Sequence, residues 1–355
     1  MIDAVIMSSS DSATARSAAP TAPARVPMNT LAIAFGLAGL AGTWTAASGE
    51  LGLPPIIAEV FWLVATVSWV WLIVAHLVRG ARSAETLASQ LRHPAQGPIA
   101  ALVPVVGMLI GDHLLVYSTL IGAILTVTSM AVALAFAGWH LSYWVSGKVD
   151  LEAVHGGYYL PTVASGYIGA ISLSRLGLPG PAIGAFGVGT LFWFVVFTIL
   201  VVRLALRPPL PPPLMPTMMI ILAPPALGGI AWFAVTGIRA DPVAEFLAVA
   251  LVLMAVMQLA LVPRYTKLPF SVGFWSFTFP VTAAGTVTIE WMSIDHPAGW
   301  QIIDILVLVA VTALVAAIGI RSIVGVAEDH GRRSGALDRQ LSDADAAAEK
   351  RDPAL

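Results

Sequence analysis

The chain alternates between long apolar runs and short polar breaks. Runs of membrane-crossing length fall at 28–47, 54–78, 98–116, 118–138, 156–174, 180–202, 215–237, 243–262, 270–289 and 300–322. A bilayer core of ~30 Å takes roughly 20 helical residues, so these runs predict ten transmembrane helices. None alternates with a sustained period of two, which favours helices over a closed barrel, the other structure that satisfies its backbone within lipid. The third and fourth runs are joined by a very short turn near Asp112 and His113; an eight-span count would read that pair as one buried hairpin.

A second pattern lies inside the runs. Most odd-numbered runs contain proline: Pro104 in the third, Pro161 in the fifth, Pro224 with Pro225 in the seventh, and Pro280 in the ninth. The first has Gly36, Gly39 and Gly42 instead, and the even runs have no internal proline. Proline removes a helical hydrogen bond and crowds the preceding turn, so it kinks or breaks a helix. Broken helices at membrane depth are tolerated where they face protein or a water-filled cavity. The pattern predicts five helical hairpins, each with a kinked inner helix and a straighter outer one, the inner five lining a central path. The alternative is that the prolines only curve packed helices, because proline is more frequent in transmembrane helices generally.

Basic residues give the orientation. One set of loops holds Arg79, Arg82, Arg92, Lys148, Arg203, Arg207, Arg264 and Lys267, whereas the opposite set holds only Arg175 and Arg239. The positive-inside rule puts the richer side in the cytoplasm. Both termini join it, with Arg16 and Arg25 before the first run and Arg321 near the end of the last. Residues 1–27, rich in Ala, Ser, Thr and Pro, read as a disordered cytoplasmic tail; 28–323 form the membrane domain; 324–355, charged and Ala-rich, read as a cytoplasmic C-terminal tail.

Composition agrees. Apolar residues make up 58% of the 355 and charged residues 11%, with a mean hydropathy of +0.86, against about 25% charged in a soluble domain. A net charge of −2 gives no nucleic-acid footprint. The absence of cysteine excludes disulfides, thiolate metal sites and cysteine nucleophiles. Of the 11 tryptophans, Trp71, Trp139, Trp144, Trp291 and Trp300 fall near predicted span ends, where an interfacial aromatic belt would lie.

Candidate chemistry is sparse. No metalloprotease, nucleophile-elbow or phosphate-loop motif occurs, and His113, His140 and His155 lack ligand spacing. Neither a metal nor a cofactor is expected, and no enzymatic role. Asp112 and Asp304 are the acids nearest an apolar run; an intramembrane acid is a functional candidate by default, and a satisfied interfacial acid is the other reading. Few fixed charges suit a weakly held ion, and the absence of an acidic ring argues against a cation filter. Small hydroxyls at Ser165, Thr282 and Thr286 could touch an anion. Phe279, just before Pro280, could plug a narrow path or be an ordinary core aromatic. Phe35, beside Gly36, and Tyr159, two residues before Pro161, could approach the same axis.

Several stretches together resemble the tellurite-resistance/dicarboxylate transporter family, that of bacterial TehA and the plant slow anion channels. They are Ala34-Phe-Gly-Leu-Ala-Gly-Leu, His93-Pro, Pro104 through Gly111-Asp112, Tyr158-Tyr-Leu-Pro161, Ile221-Leu-Ala-Pro224 and Trp275-Ser-Phe-Thr-Phe-Pro280, within a resemblance spanning about 27–323. The resemblance implies an all-α polytopic membrane protein of ten helices, arranged as five hairpins with quasi-fivefold symmetry around a central pore. It implies a homotrimer in the lipid of a bacterial inner membrane, each protomer with its own pore, occluded by the phenylalanine matching Phe279. It implies passive, gated permeation of small anions such as chloride or nitrate, or coupled carriage of dicarboxylate, sulfite or tellurite. The second proline at 225 and the Pro208–Pro213 loop depart from that pattern.

Overall fold

The computed structural model describes residues 24–349, with side chains described through residue 328. The expected N-terminal tail therefore lies almost wholly outside the described residues, Arg16 included, whereas the backbone of the expected C-terminal tail is described as helix through residue 349. The described residues form helices and no strands.

Five hairpins follow in order. Helices α1 (Leu31–Leu51) and α2 (Ile56–Arg82) form the first, followed by a short α3 (Leu87–Arg92). Then come α4 (Leu102–Leu114) with α5 (Thr119–Val145), α6 (Ser165–Arg175) with α7 (Pro179–Leu206), α8 (Ala223–Thr236) with α9 (Pro242–Tyr265), and α10 (Thr278–Asp295) with α11 (Trp300–Glu349). The inner helices close a ring: α1 packs on α4, α4 on α6, α6 on α8, α8 on α10, and α10 back on α1. Each outer helix packs on its own hairpin partner.

Burial separates the two sets. The spans containing α1, α4, α8 and α10 are 50–72% buried and the five outer spans only 17–28%. The outer helices present Leu, Val and Ile outward, Leu63, Val249 and Leu306 among them, the surface that lipid requires. Nine of the described helices are long and apolar enough to cross a membrane. The fifth predicted span is assembled from three pieces: a 3-10 turn (Gly156–Tyr159), a π turn (Leu160–Ala164) and α6. Its residues are almost all buried.

The prolines do not kink helix interiors as expected. Each of the four proline-bearing inner spans enters as a 3-10 or π segment and becomes α-helical close to its proline. The 3-10 stretches Gly97–Ala101, Met215–Leu222 and Val272–Phe277 precede α4, α8 and α10. Pro104, Pro224, Pro225 and Pro280 sit in the first turn of those α-helices, and Pro161 sits in the π turn before α6. A first-turn proline loses no hydrogen bond within its α-helix, because the first N–H groups of a helix have no partner inside it. At the far end the chain turns back sharply, with Gly52 (φ 65°) after α1 and Gly177 (φ 75°) after α6 in left-handed conformations that glycine adopts without a Cβ penalty.

Helix ends extend beyond the hydropathy windows. Arg79, Arg82, Arg203 and Arg264, expected in loops, lie in the last turns of α2, α7 and α9, where a cation complements the helix dipole. Arg203 is buried and donates to the Glu152 and Pro208 carbonyls. Trp71 stands in the middle of α2, not near its end, and is 65% exposed. Helix α11 runs through residues 323 and 324 without a break.

The α1–α10 contact is the closest in the ring. A Cβ on Gly36 would overlap the Thr278 side chain, and one on Gly39 would overlap Thr282 and press on the Phe279 ring. Gly42, on the same helix, has open space around it. We expect Gly36→Val to lower stability by about 1–3 kcal/mol through overpacking, and Gly42→Ala to be neutral or stabilising by up to about 1 kcal/mol through helix propensity. Thermal melting of the detergent-solubilised protein measures both; equal effects would show that the α1–α10 approach is not tight.

Candidate functional site: two cavities inside the helix ring

Two cavities lie along the inside of the helix ring, and one aromatic side chain belongs to both. The smaller, of about 40 Å³, is bounded by Phe35, Leu102, Tyr159, Leu160, Ile220, Pro224, Trp275, Ser276 and Pro280 among others. The larger, a vestibule of about 590 Å³, opens among the C-terminal halves of the inner helices, bounded by Gly39, Trp62, Asp112, His113, Arg175, Thr286 and Glu290 among others. Phe279 and Leu227 line both.

Phe279 is the second residue of α10, where the span changes from 3-10 to α geometry. Its ring lies flat on Phe35 of α1, centroids 3.6 Å apart and planes 11° from parallel. Both rings are buried. Hydroxyls fix the backbone behind them: Thr282 Oγ1 donates to the Phe279 carbonyl at 3.0 Å, and Thr43 Oγ1 lies 3.0 Å from the Thr282 carbonyl and 2.9 Å from Thr286 Oγ1.

The sequence candidates divide into two groups. Phe35, Tyr159, Pro224, Pro280 and Phe279 border the small cavity, and Thr286 borders the vestibule. Gly36, Pro104, Pro161, Ser165 and Thr282 border neither cavity. Gly36 and Thr282 belong to the α1–α10 seam, and Ser165 donates to the Leu160 carbonyl at 3.2 Å across the π turn.

The vestibule carries more charge than the sequence suggested. Asp112 is buried; its Oδ2 accepts from Ser172 Oγ at 2.8 Å and its Oδ1 from Thr126 Oγ1 at 3.4 Å. Glu290 lines the same cavity with a shielded Oε2 that has no hydrogen-bond partner. Arg175, in the last turn of α6, acts electrostatically on both carboxylates but forms no ion pair with either among the described residues. His113 Nε2 pairs with Glu59 at 3.0 Å and its ring stacks on Trp62. Glu290 was missed because it falls one residue past the ninth apolar run, whereas α10 continues to Asp295.

The remaining candidates lie elsewhere. Asp304 is fully buried, neither carboxylate oxygen has a partner, and it borders neither of these cavities. His140 receives a hydrogen bond from Trp144 and His155 accepts one from the Gly157 N–H; both rings pack against Tyr158, whereas His113 stacks on Trp62. No group of ligands able to hold a metal ion occurs among the described residues.

A ring of five broken helices around a lumen, sheathed by five apolar helices, defines a polytopic membrane protein of the channel or transporter class. The chain belongs to the SLAC1 family, described as voltage-dependent anion channels, whose model matches residues 25–323. It is 26% identical over 260 residues to the "Tellurite resistance protein TehA homolog" of Haemophilus influenzae, covering 73% of this chain and 79% of that protein. It is 26% identical over 280 residues to the "Guard cell S-type anion channel SLAC1" of Arabidopsis thaliana, covering 75% of this chain and 50% of that one. With the "S-type anion channel SLAH2" of the same plant the identity is 23% over 304 residues, covering 83% of this chain and 58% of that one. The chain therefore spans little more than half the length of these two plant relatives.

The lumen's division has a direct chemical readout, because the chain has no native cysteine. We expect Thr286→Cys to react with a membrane-impermeant thiol reagent supplied from the vestibule side, and Ser276→Cys to be protected from that side. Mass spectrometry after one-sided labelling measures this. Equal labelling of both would place the barrier somewhere other than Phe279.

Proposed function

We propose that the chain is a passive, gated channel for small anions such as chloride or nitrate, which pass along the ring axis. The single observation that carries this reading is the position of Phe279 as the wall between two cavities in one lumen. In this conformation Phe279, backed by Phe35, closes the path. Phe35, Tyr159, Pro224 and Pro280 border the inner side of the plug and Thr286 the outer. Gly36, Pro104, Pro161, Ser165 and Thr282 act by setting helix breaks and spacing. Opening comes from movement of the Phe279 ring together with the broken inner helices. Apolar constrictions of this kind exclude water and ions until widened. No chemical step and no cofactor are invoked.

The protein sits in a bacterial inner membrane with both termini cytoplasmic. The excess of basic residues on one face supports this, as does Arg25, which donates to the Gln90 side chain and to the Gly80 carbonyl in the arginine-rich last turn of α2. The apolar outer helices leave room for assembly into homotrimers within lipid. Residues 28–323 serve as the channel domain, with 1–27 and 324–355 as cytoplasmic segments.

A coupled carrier of dicarboxylate, sulfite or tellurite is the second reading. The ionisable groups of the vestibule, Asp112, Arg175 and Glu290, favour it, because coupling needs groups that change charge during the cycle. Anion flux that requires a proton gradient and saturates at low substrate supports the carrier.

We expect Phe279→Ala to raise chloride conductance in planar bilayers at least ~10-fold, corresponding to ~1.4 kcal/mol removed from the barrier. Phe35→Ala, which removes the backing ring, should raise it less. Conductance unchanged in Phe279→Ala would sink the assignment of the gate.

A further inference from the structure

The vestibule has one permanent cation, and no protein group engages it. Arg175 is the only lining side chain whose positive charge does not depend on pH. It is exposed and makes no hydrogen bond or ion pair among the described residues. Its place on α6 turns it toward the cavity. Ser172, one turn earlier on the same helix face, donates to the buried Asp112 of the cavity wall at 2.8 Å. Asp112, His113 and Glu290 all line the cavity, and the guanidinium acts electrostatically on each of them. The other polar side chains of the wall offer little to an anion. Thr45 Oγ1 donates to the Ala41 carbonyl and accepts from Trp62 Nε1. Thr286 Oγ1 donates to the Thr282 carbonyl at 3.0 Å, and His113 is held by Glu59.

We propose that Arg175 is the binding residue of the vestibule for a small planar oxyanion, nitrate being the simplest. This rests on the reading of the lumen as an anion path and names what its wider end takes. Three features converge. The guanidinium is a rigid, planar fork of N–H donors that matches two coplanar oxygens, a geometry that a spherical chloride lacks. Ser172 and Thr126 already satisfy Asp112, so the fork is left for a ligand although two acids stand in the same wall. The cavity, at about 590 Å³, lets the anion keep its water on the side away from the arginine, where a bridging water serves nearly as well as a direct bond. Asp112 and Glu290 oppose an incoming anion and keep the site weak. Permeation demands that weakness, because the ion must leave.

Thr286→Cys places a reporter in the same cavity, and the chain has no native cysteine to compete with it. The test keeps the full chain and its Phe279 ring. It compares the rate at which the reporter reacts with a sulfonate-bearing methanethiosulfonate and with a trimethylammonium-bearing one, both supplied from the vestibule side. The proposal predicts that adding Arg175→Gln lowers the ratio of anionic to cationic rates about tenfold. Exchanging chloride for nitrate at constant ionic strength should slow the anionic reagent about twofold or more while Arg175 is present, and not at all with Arg175→Gln. Arg175→Lys keeps the charge without the fork, so it should preserve the rate ratio and lose the preference for nitrate. A rate ratio indifferent to Arg175→Gln overturns the site. Equal protection by nitrate and chloride, or a nitrate preference that survives Arg175→Lys, overturns the oxyanion assignment. A reporter that reacts with neither reagent overturns the open vestibule and the site with it. Nitrate protection in a protein that passes no anion current in planar bilayers supports the site and overturns the path.

Discussion

The structure depends on how closely α1 and α10 approach. Gly36 and Gly39 leave no side chain between the helices, and Thr278 and Thr282 fill the space where Cβ atoms would stand. Thr43 then ties the two backbones by hydrogen bonding to the Thr282 carbonyl. The rings of Phe35 and Phe279 are carried into face-to-face contact at 3.6 Å, an arrangement that aromatic pairs left to themselves avoid in favour of offset or edge-on geometry. The backbone imposes the stack. A ring held in place by its neighbours' spacing, not by its own attraction, is suited to being displaced when that spacing changes.

The lipid environment explains the division of labour around this contact. Outer helices are long continuous α-helices that show apolar side chains outward. Among the described membrane spans, 3-10 and π segments occur in the inner ones, where protein surrounds them or a cavity borders them. The same shielding lets the vestibule hold Asp112, Arg175 and Glu290 at membrane depth, with Ser172 and Thr126 satisfying Asp112. The inner helices all point their C-terminal ends toward the vestibule, which adds partial negative potential there. Arg175, in the last turn of α6, is the one guanidinium in the vestibule wall that offsets it.

Much of the fold was legible because the bilayer imposes length and polarity so strongly. The hairpin count, the inner and outer sets and the short turn after Leu114 all follow from apolar run length and from mid-run prolines in the odd runs. The role of those prolines was less legible: a breaker in mid-run looks the same whether it kinks an α-helix or, like Pro280, begins one after a 3-10 turn. Window boundaries also hid polar groups at helix ends, which is why Glu290 escaped notice while Asp112 did not. Phe279 and Phe35 could be singled out from their place beside Pro280 and Gly36. Their stacking arises from contacts between residues far apart in sequence that no local pattern encodes.

The central claim is that side-chain bulk at position 279 limits the lumen. Single-channel conductance across a series with Gly, Ala, Val and Leu at that position tests it most directly. The account predicts conductance that rises steadily as side-chain volume falls. Conductance independent of volume across the series, in variants that melt like the parent, would contradict it.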